Sequence, residues 1–238
     1  MGQQQAMFNQ HPYQTELDAQ VIATEENKVM LDHTLFYPAG GGQPGDQGVL
    51  RLASGTQLSV TDTHKGEKQG EIWHLLNDQD HRLVAGDTLT LQLDWPRRHR
   101  LMRMHTALHL LCSLVPKGVT GGSVNEQKSR LDFDLGDAKV DKQQLTEAIN
   151  HLIKSEIAVT QEWISDAELD ANPELVRTMS VQPPRGVGRI RMVKIAGVDY
   201  QPCGGTHVAN TAEIGSVTIS KVENKGKRNR RIHLLLDV

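Results

Sequence analysis

Cysteine is almost missing from this sequence: Cys112 and Cys203 are the two in 238 residues. That count excludes a disulfide framework and leaves each thiol to packing or to metal chemistry. Aromatic residues are scarce too, at 4%, so the core must be largely aliphatic. No apolar run approaches the roughly 20 residues that a membrane span needs. The first residues, MGQQQAMFNQHPYQ, lack the basic-then-apolar pattern of an export signal, and cytoplasmic location is expected. The glutamine-rich first dozen residues are expected to be mobile.

The sequence does hold an uneven charge. Residues 1–93 carry 5 Lys+Arg against 12 Asp+Glu, and residues 94–238 carry 21 against 17. The acidic part is poorly suited to track a polyanion, while the basic part can do so where its charges cluster. Clusters stand at RRHRLMR (97–103), at Arg185, Arg189 and Arg191, and at KGKRNRR (225–231).

Pattern also divides the chain. Residues 16–93 alternate in VIATEENKVMLD, GVLRLASGTQLSVTDTH, EIWHLL and TLTLQLDW, with glycines between them. Short alternating segments at this spacing predict a small antiparallel barrel or sandwich. The pattern changes at Trp95-Pro96, and the boundary is set at 93/94. Leu101, Met104, Leu108, Leu111 and Val115 form a helical stripe. DKQQLTEAINHLIKSEIA predicts a second amphipathic helix, and ISDAELD a short capped one. SRLDFDL, RIRMVKIAGV, GSVTISKVEN and RRIHLLLDV read as strands. The fold class is α+β: a β-barrel-like N-terminal domain followed by an α+β domain.

Two short motifs carry the chemistry. HTALHLL places His105 and His109 at i and i+4, one turn apart on one helix face. CGGTH places Cys203 and His207 around two glycines that let the chain fold back. A thiolate with imidazoles suits zinc among the common metals, and one zinc per chain is expected. Such a site can be structural or catalytic. The metalloprotease helix has a glutamate after its first histidine; Thr106 stands there, so that route lacks its base. The Glu and Cys-x-x-Cys of zinc deaminases are absent as well.

HTALHLL together with CGGTH resembles the editing domain of alanyl-tRNA synthetase and its free-standing AlaX relatives. FYPAGGGQPGDQG (36–48) is similar to the upstream glycine-rich motif of that family, DWPRRHRLMR to its approach to the first zinc helix, and GSVNEQKSRLDFDL to its central strand region. The resemblance runs from about residue 30 to the end and is to the medium-length AlaX type, without a region for ATP binding or aminoacylation. It implies a hydrolase that deacylates mischarged tRNA(Ala), seryl-tRNA(Ala) and also glycyl-tRNA(Ala), with His105, His109, Cys203 and His207 as zinc ligands. Where the synthetase version often has Thr before the second histidine, this sequence has Leu108. Thr120, Ser123, Asn125 and Gln127 are therefore candidates to contact the serine hydroxyl, and Gly40, Gly41 and Gly42 to help admit the tRNA end. Arg97, Arg98, Lys227, Arg228, Arg230 and Arg231 are candidate tRNA contacts. No side chain is assigned as the base; a water activated by zinc and the terminal ribose hydroxyl both stay open. A threonyl-type editing protein and a tRNA-binding module with structural zinc are the alternative readings.

Overall fold

The computed structural model describes residues 4–136, 138–179 and 188–237. The chain is mostly β with a few helices and divides into two compact units, Met1–His99 and Arg100–Val238. The first unit contains β1 (Gln5–Ala6), β2 (Glu16–Glu25), β3 (Lys28–Leu31), β4 (His33–Thr34), β5 (Gly48–Leu52), β6 (Gln57–Lys65), β7 (Ile72–Leu76) and β8 (Thr88–Leu93). Six of these close into an antiparallel barrel in the order β2-β3-β7-β6-β5-β8, with β8 pairing back onto β2. Closure leaves this sheet without a free edge. Alternation sends Val21, Leu31, Leu50, Val60 and Leu91 into the barrel core. Bulges in β2 (Val21/Ala23) and β6 (Val60/Asp62) bend those strands.

Of the glutamine-rich start expected to be mobile, residues 1–3 lie outside the described residues, and from Gln4 onward the segment makes contacts with the barrel unit. The Gln4 side-chain amide both donates to the Ile72 carbonyl (3.2 Å) and accepts from the Ile72 N–H (2.7 Å), as a paired strand would. β1 then pairs in parallel with β4. Phe8 is buried edge-on against Tyr37, with ring centroids 5.5 Å apart.

The glycine-rich motif forms a tight turn in this unit. Gly40 and Gln43 exchange both backbone hydrogen bonds, each 3.0 Å, around Gly41 and Gly42. Those two have φ of +57° and +82°, the left-handed backbone that glycine adopts without strain. Gly45 has a different constraint: a Cβ there would lie 2.1 Å from the Thr63 carbonyl oxygen.

Helix α1 (Trp95–Leu114) starts in the first unit and continues into the second. After it come β9 (Val119–Ser123), β10 (Lys128–Asp134), α2 (Lys142–Lys154), β11 (Val159–Ile164), α3 (Asp166–Ala171), β12 (Ile190–Ile195), β13 (Asp199–Pro202), β14 (Val217–Asn224) and β15 (Asn229–Leu236). They build a four-stranded sheet, β14-β15-β10-β9, and a three-stranded sheet, β11-β12-β13. Asp141 caps α2 by accepting from the Gln143 and Gln144 N–H groups. Asn150 then fixes α2 to β14 through two bonds with the Val217 backbone. Ser165 and Glu168 form a capping box at α3. Among the described residues no helix is long and apolar enough to cross a membrane.

Candidate metal centre

Four potential ligands from two elements converge in the second unit. α1 presents His105 and His109 from one face, and the turn after β13 presents Cys203 and His207. One ligand atom from each lies within 4.8 Å of every other. A zinc coordination sphere has bonds of about 2.0–2.3 Å, so this span suits one ion at the centre. The three histidines are buried. Their rings pack with centroids 4.5–5.4 Å apart. Cys203 Sγ is 3.3 Å from His207 Nε2 and 3.6 Å from His105 Nε2.

Neighbouring groups hold two of the rings in one orientation. His109 Nδ1 lies 2.8 Å from Asp199 Oδ2, and Gln201 Nε2 donates to the same oxygen at 2.8 Å. A carboxylate at Nδ1 favours the N–H there and leaves Nε2 as the metal-facing donor. His207 Nδ1 lies 3.2 Å from Thr106 Oγ1, whose own hydrogen goes to the Met102 carbonyl at 2.9 Å. His207 Nδ1–H therefore donates to Thr106, and Nε2 is again left inward. The arrangement fits a metal ion through its donor set, its burial and these two fixed rings.

The turn carrying Cys203 is itself clamped. Arg191 accepts the Cys203 N–H on its backbone oxygen (3.1 Å), and its guanidinium donates to the carbonyls of Cys203 and Gly205, both at 2.8 Å. The Gly205 N–H points at Cys203 Sγ at 3.4 Å.

The charges agree with this geometry. Burial opposes ionisation of the Cys203 thiol, but the electrostatics and hydrogen bonding of the adjacent histidine rings outweigh it and hold the thiol well below its usual range, while burial pushes His207 itself well down. Burial pushes His109 down, and its hydrogen bonds to Asp199 and Cys203 outweigh that and raise it to about 10. A thiolate beside imidazolium is a cluster poised to exchange protons for a cation.

The remaining predicted residues lie elsewhere. Thr120 Oγ1 sits 3.2 Å from the Asp132 carbonyl and 3.3 Å from Asn229 Oδ1, in the four-stranded sheet. Asn125 Nδ2 donates to Ser123 Oγ at 3.1 Å, and Gln127 is exposed beyond the end of β9. Thr120 and Ser123 stand on β9, and Asn125 and Gln127 in the connection from β9 to β10, so all four belong to a different sheet region from the strand that leads to Cys203. Leu108 is buried. Gly40, Gly41 and Gly42 belong to the first unit.

Arg98 is a correction. It is 1% exposed, and its guanidinium grips Asp46, which is equally buried, while also donating to the Leu35 carbonyl at 2.7 Å. A guanidinium enclosed in this way has no face for a phosphate. Arg97 is half-buried and donates to the Gly45 carbonyl at 2.8 Å. Of the C-terminal cluster, Arg228 pairs with Asp134 and Arg231 with Asp132. Lys227 is exposed, and Arg230 donates to the Asn229 carbonyl at 3.2 Å. Arg189 is exposed, and Arg185 lies outside the described residues.

Asp199, Gln201 and the supporting role of Thr106 are absent from the sequence reading. A signal for the first two exists: Asp199 and Gln201 alternate along β13, in step with Cys203 just past its end. Thr106 is noticed only as the residue that replaces a catalytic glutamate.

Comparisons with known proteins place the chain in a family. Residues 190–233 match the family described as "Threonyl and Alanyl tRNA synthetase second additional domain", and residues 2–97 match "tRNA synthetases class II (A)". The alanyl-tRNA editing protein AlaX-M of Saccharolobus solfataricus is 36% identical over 231 residues, covering 95% of this chain and 96% of the relative. The AlaX-M protein of Methanosarcina barkeri is 36% identical over 241 residues, 98% of each chain. An alanine–tRNA ligase of Methanococcus maripaludis is 32% identical over 232 residues, 94% of this chain but 25% of the ligase. With near-complete coverage of both partners at this identity, the chain belongs to the AlaX-M family of alanyl-tRNA editing proteins.

Proposed function

We propose that this protein hydrolyses the aminoacyl ester of mischarged tRNA(Ala) at a zinc ion held by His105, His109, Cys203 and His207, in the cytoplasm. As an AlaX family member it is an aminoacyl-tRNA deacylase, an ester hydrolase. Seryl-tRNA(Ala) is the proposed main substrate, with glycyl-tRNA(Ala) as a second.

The observation that carries the reading is the orientation of the four ligands. His109 and His207 each have Nδ1 committed to a neighbour, so their Nε2 atoms face the Cys203 thiolate. One thiolate with three imidazoles suits zinc better than the harder magnesium or calcium. Zinc bound there supplies Lewis acidity toward an ester carbonyl and an anchor for the substrate's amino group.

The protein's own groups do the positioning. Asp199 and Gln201 keep His109 from rotating. Arg191 keeps the Cys203 turn closed. Discrimination of serine from alanine needs a polar partner for the hydroxyl, because alanine is smaller and enters any pocket that admits serine. That partner is sought among Thr120, Ser123, Asn125 and Gln127, and Leu108 offers no hydroxyl. The turn at Gly40–Gly42 is proposed to help admit the tRNA end. Arg97, Lys227, Arg228, Arg230 and Arg231 are the proposed phosphate contacts.

The test is a comparison of ester hydrolysis rates on seryl-, glycyl- and alanyl-tRNA(Ala). The expected result is rapid loss of serine, slower loss of glycine and little loss of alanine. Equal rates on serine and alanine would remove the editing assignment. Rapid hydrolysis of seryl-tRNA(Thr), with tRNA(Ala) left intact, would favour the threonyl-type reading.

A further inference from the structure

The three-stranded sheet has one face that looks toward the metal ligands. Asp199 and Gln201 identify it, since both reach the His109 ring. Residues directly opposed in an antiparallel pair project from the same face. Arg191 lies opposite Trp163 on β11, and on its other side its backbone oxygen accepts the Cys203 N–H. A row therefore crosses the end of the sheet on the metal-facing side: Trp163, Arg191, Cys203. Neighbouring strands are about 4.8 Å apart, so the Trp163 backbone stands about 10 Å from that of Cys203.

Trp163 occupies the edge strand and is 49% exposed. In a chain with three tryptophans, a half-exposed indole beside the reaction centre is conspicuous. Its neighbours in the row are pinned. Arg191 is tied to Gln161 as well as to the carbonyls of Cys203 and Gly205, and strand pairing fixes the backbone spacing between Trp163 and Cys203. Exposed aromatics at a fixed distance from a charged groove are how proteins hold unpaired nucleobases, because every base offers a π-face.

We infer that Trp163 is the stacking platform for the 3′-terminal nucleobase of the acylated tRNA. This rests on the reading that the substrate is an ester on the terminal ribose. The base is then held at the sheet edge while the ester extends across Arg191 toward the metal ligands. Trp163 is a binding and positioning residue and touches no reacting bond.

The experiment is a cycle that pairs a protein change with a substrate change. Uncharged tRNA(Ala) with its terminal adenosine, and the same tRNA trimmed by that one nucleotide, are titrated against the wild type, Trp163→Ala and Trp163→Phe. Stacking is measured in other proteins at about 1–3 kcal/mol per base, so trimming should weaken wild-type binding by about tenfold. In Trp163→Ala the two tRNAs should bind alike, and in Trp163→Phe most of the difference should return. Zinc content and circular dichroism confirm that each variant is folded. Charged tRNA supplies a second reading: KM should rise in Trp163→Ala with kcat nearly kept. If trimming weakens Trp163→Ala as much as the wild type, the inference is overturned. It is equally overturned if Trp163→Ala only dissociates a dimer, which would make the indole a contact between copies. Failure of the wild type to hydrolyse any aminoacyl-tRNA would overturn the functional reading separately, because the uncharged-tRNA cycle does not depend on hydrolysis.

Discussion

Replacing Arg98 by Met tests whether this arginine serves nucleic acid or the fold. The side chain lies 1% exposed against Asp46, with Nε 3.0 Å and 2.8 Å from the two carboxylate oxygens and a further guanidinium contact to Asp46. Asp46 also accepts from the Tyr37 N–H at 2.6 Å. Methionine fills much of the volume but leaves the carboxylate buried without its guanidinium partner. Removing one partner of a buried ion pair costs about 3–5 kcal/mol, because the other charge stays uncompensated. The chain has 238 residues, and at this size about 1 kcal/mol moves Tm by about 2–4 °C. Arg98→Met should therefore lower the melting temperature by at least about 6 °C. Adding Asp46→Leu should recover most of the loss, since two well-packed apolar groups can replace a buried pair at little cost. Thermal unfolding followed by circular dichroism reads both. A single variant that melts like the wild type and loses only tRNA affinity would refute the reasoning and restore Arg98 as a phosphate contact.

Other outcomes follow from the same structure. Cys203→Ala and His105→Ala should each bring zinc content well below one per chain, measured by elemental analysis; full occupancy in the quadruple alanine variant would overturn the ligand set. His74 is buried, accepts from Thr34 Oγ1 at 2.7 Å and donates to the Val29 carbonyl at 3.1 Å, and burial lowers its pKa from 6.5 to about 4. The unfolded chain takes up that proton first, so the stability is present above about pH 6.5 and lost as pH falls toward 4, by roughly 3 kcal/mol in total. Urea titrations at pH 7 and pH 4 should show this difference in the wild type and much less of it in His74→Gln. Alanine at Lys227, Arg228, Arg230 and Arg231 together should weaken tRNA binding and flatten its salt dependence by about 0.7–0.9 per lost phosphate contact. A single apolar substitution among Thr120, Ser123, Asn125 and Gln127 should lower the serine rate by about tenfold, on the order of 1.4 kcal/mol, with zinc retained; an unchanged serine-to-alanine ratio in all four moves the determinant elsewhere.

The barrel was legible in the sequence because its strands alternate and glycines mark the turns. The His105, His109, Cys203 and His207 cluster was legible because each pair has a local spacing. β11 was not, since VTQEWI lies at a sheet edge and carries no buried alternation to signal a strand. Helix α1 showed a single stripe in the sequence, whereas Met102, Ala107, Leu110 and Cys112 are buried as well; a helix enclosed on several sides loses its one-face pattern. Arg98 looked like part of a basic surface run because its partner, Asp46, is distant in sequence. The bonds of Asp199 to His109 and of Arg191 to the Cys203 turn are likewise long-range, and composition carries no trace of them.

The account stands most directly on the metal dependence of serine release. Purified protein is incubated with seryl-tRNA(Ala) as isolated, after removal of metal by a chelator, and after one equivalent of zinc is restored. Hydrolysis should be rapid, then nearly abolished, then recovered, with the fold retained throughout by circular dichroism. Undiminished hydrolysis by the folded, metal-free chain would contradict the assignment of His105, His109, Cys203 and His207 as the centre of the reaction.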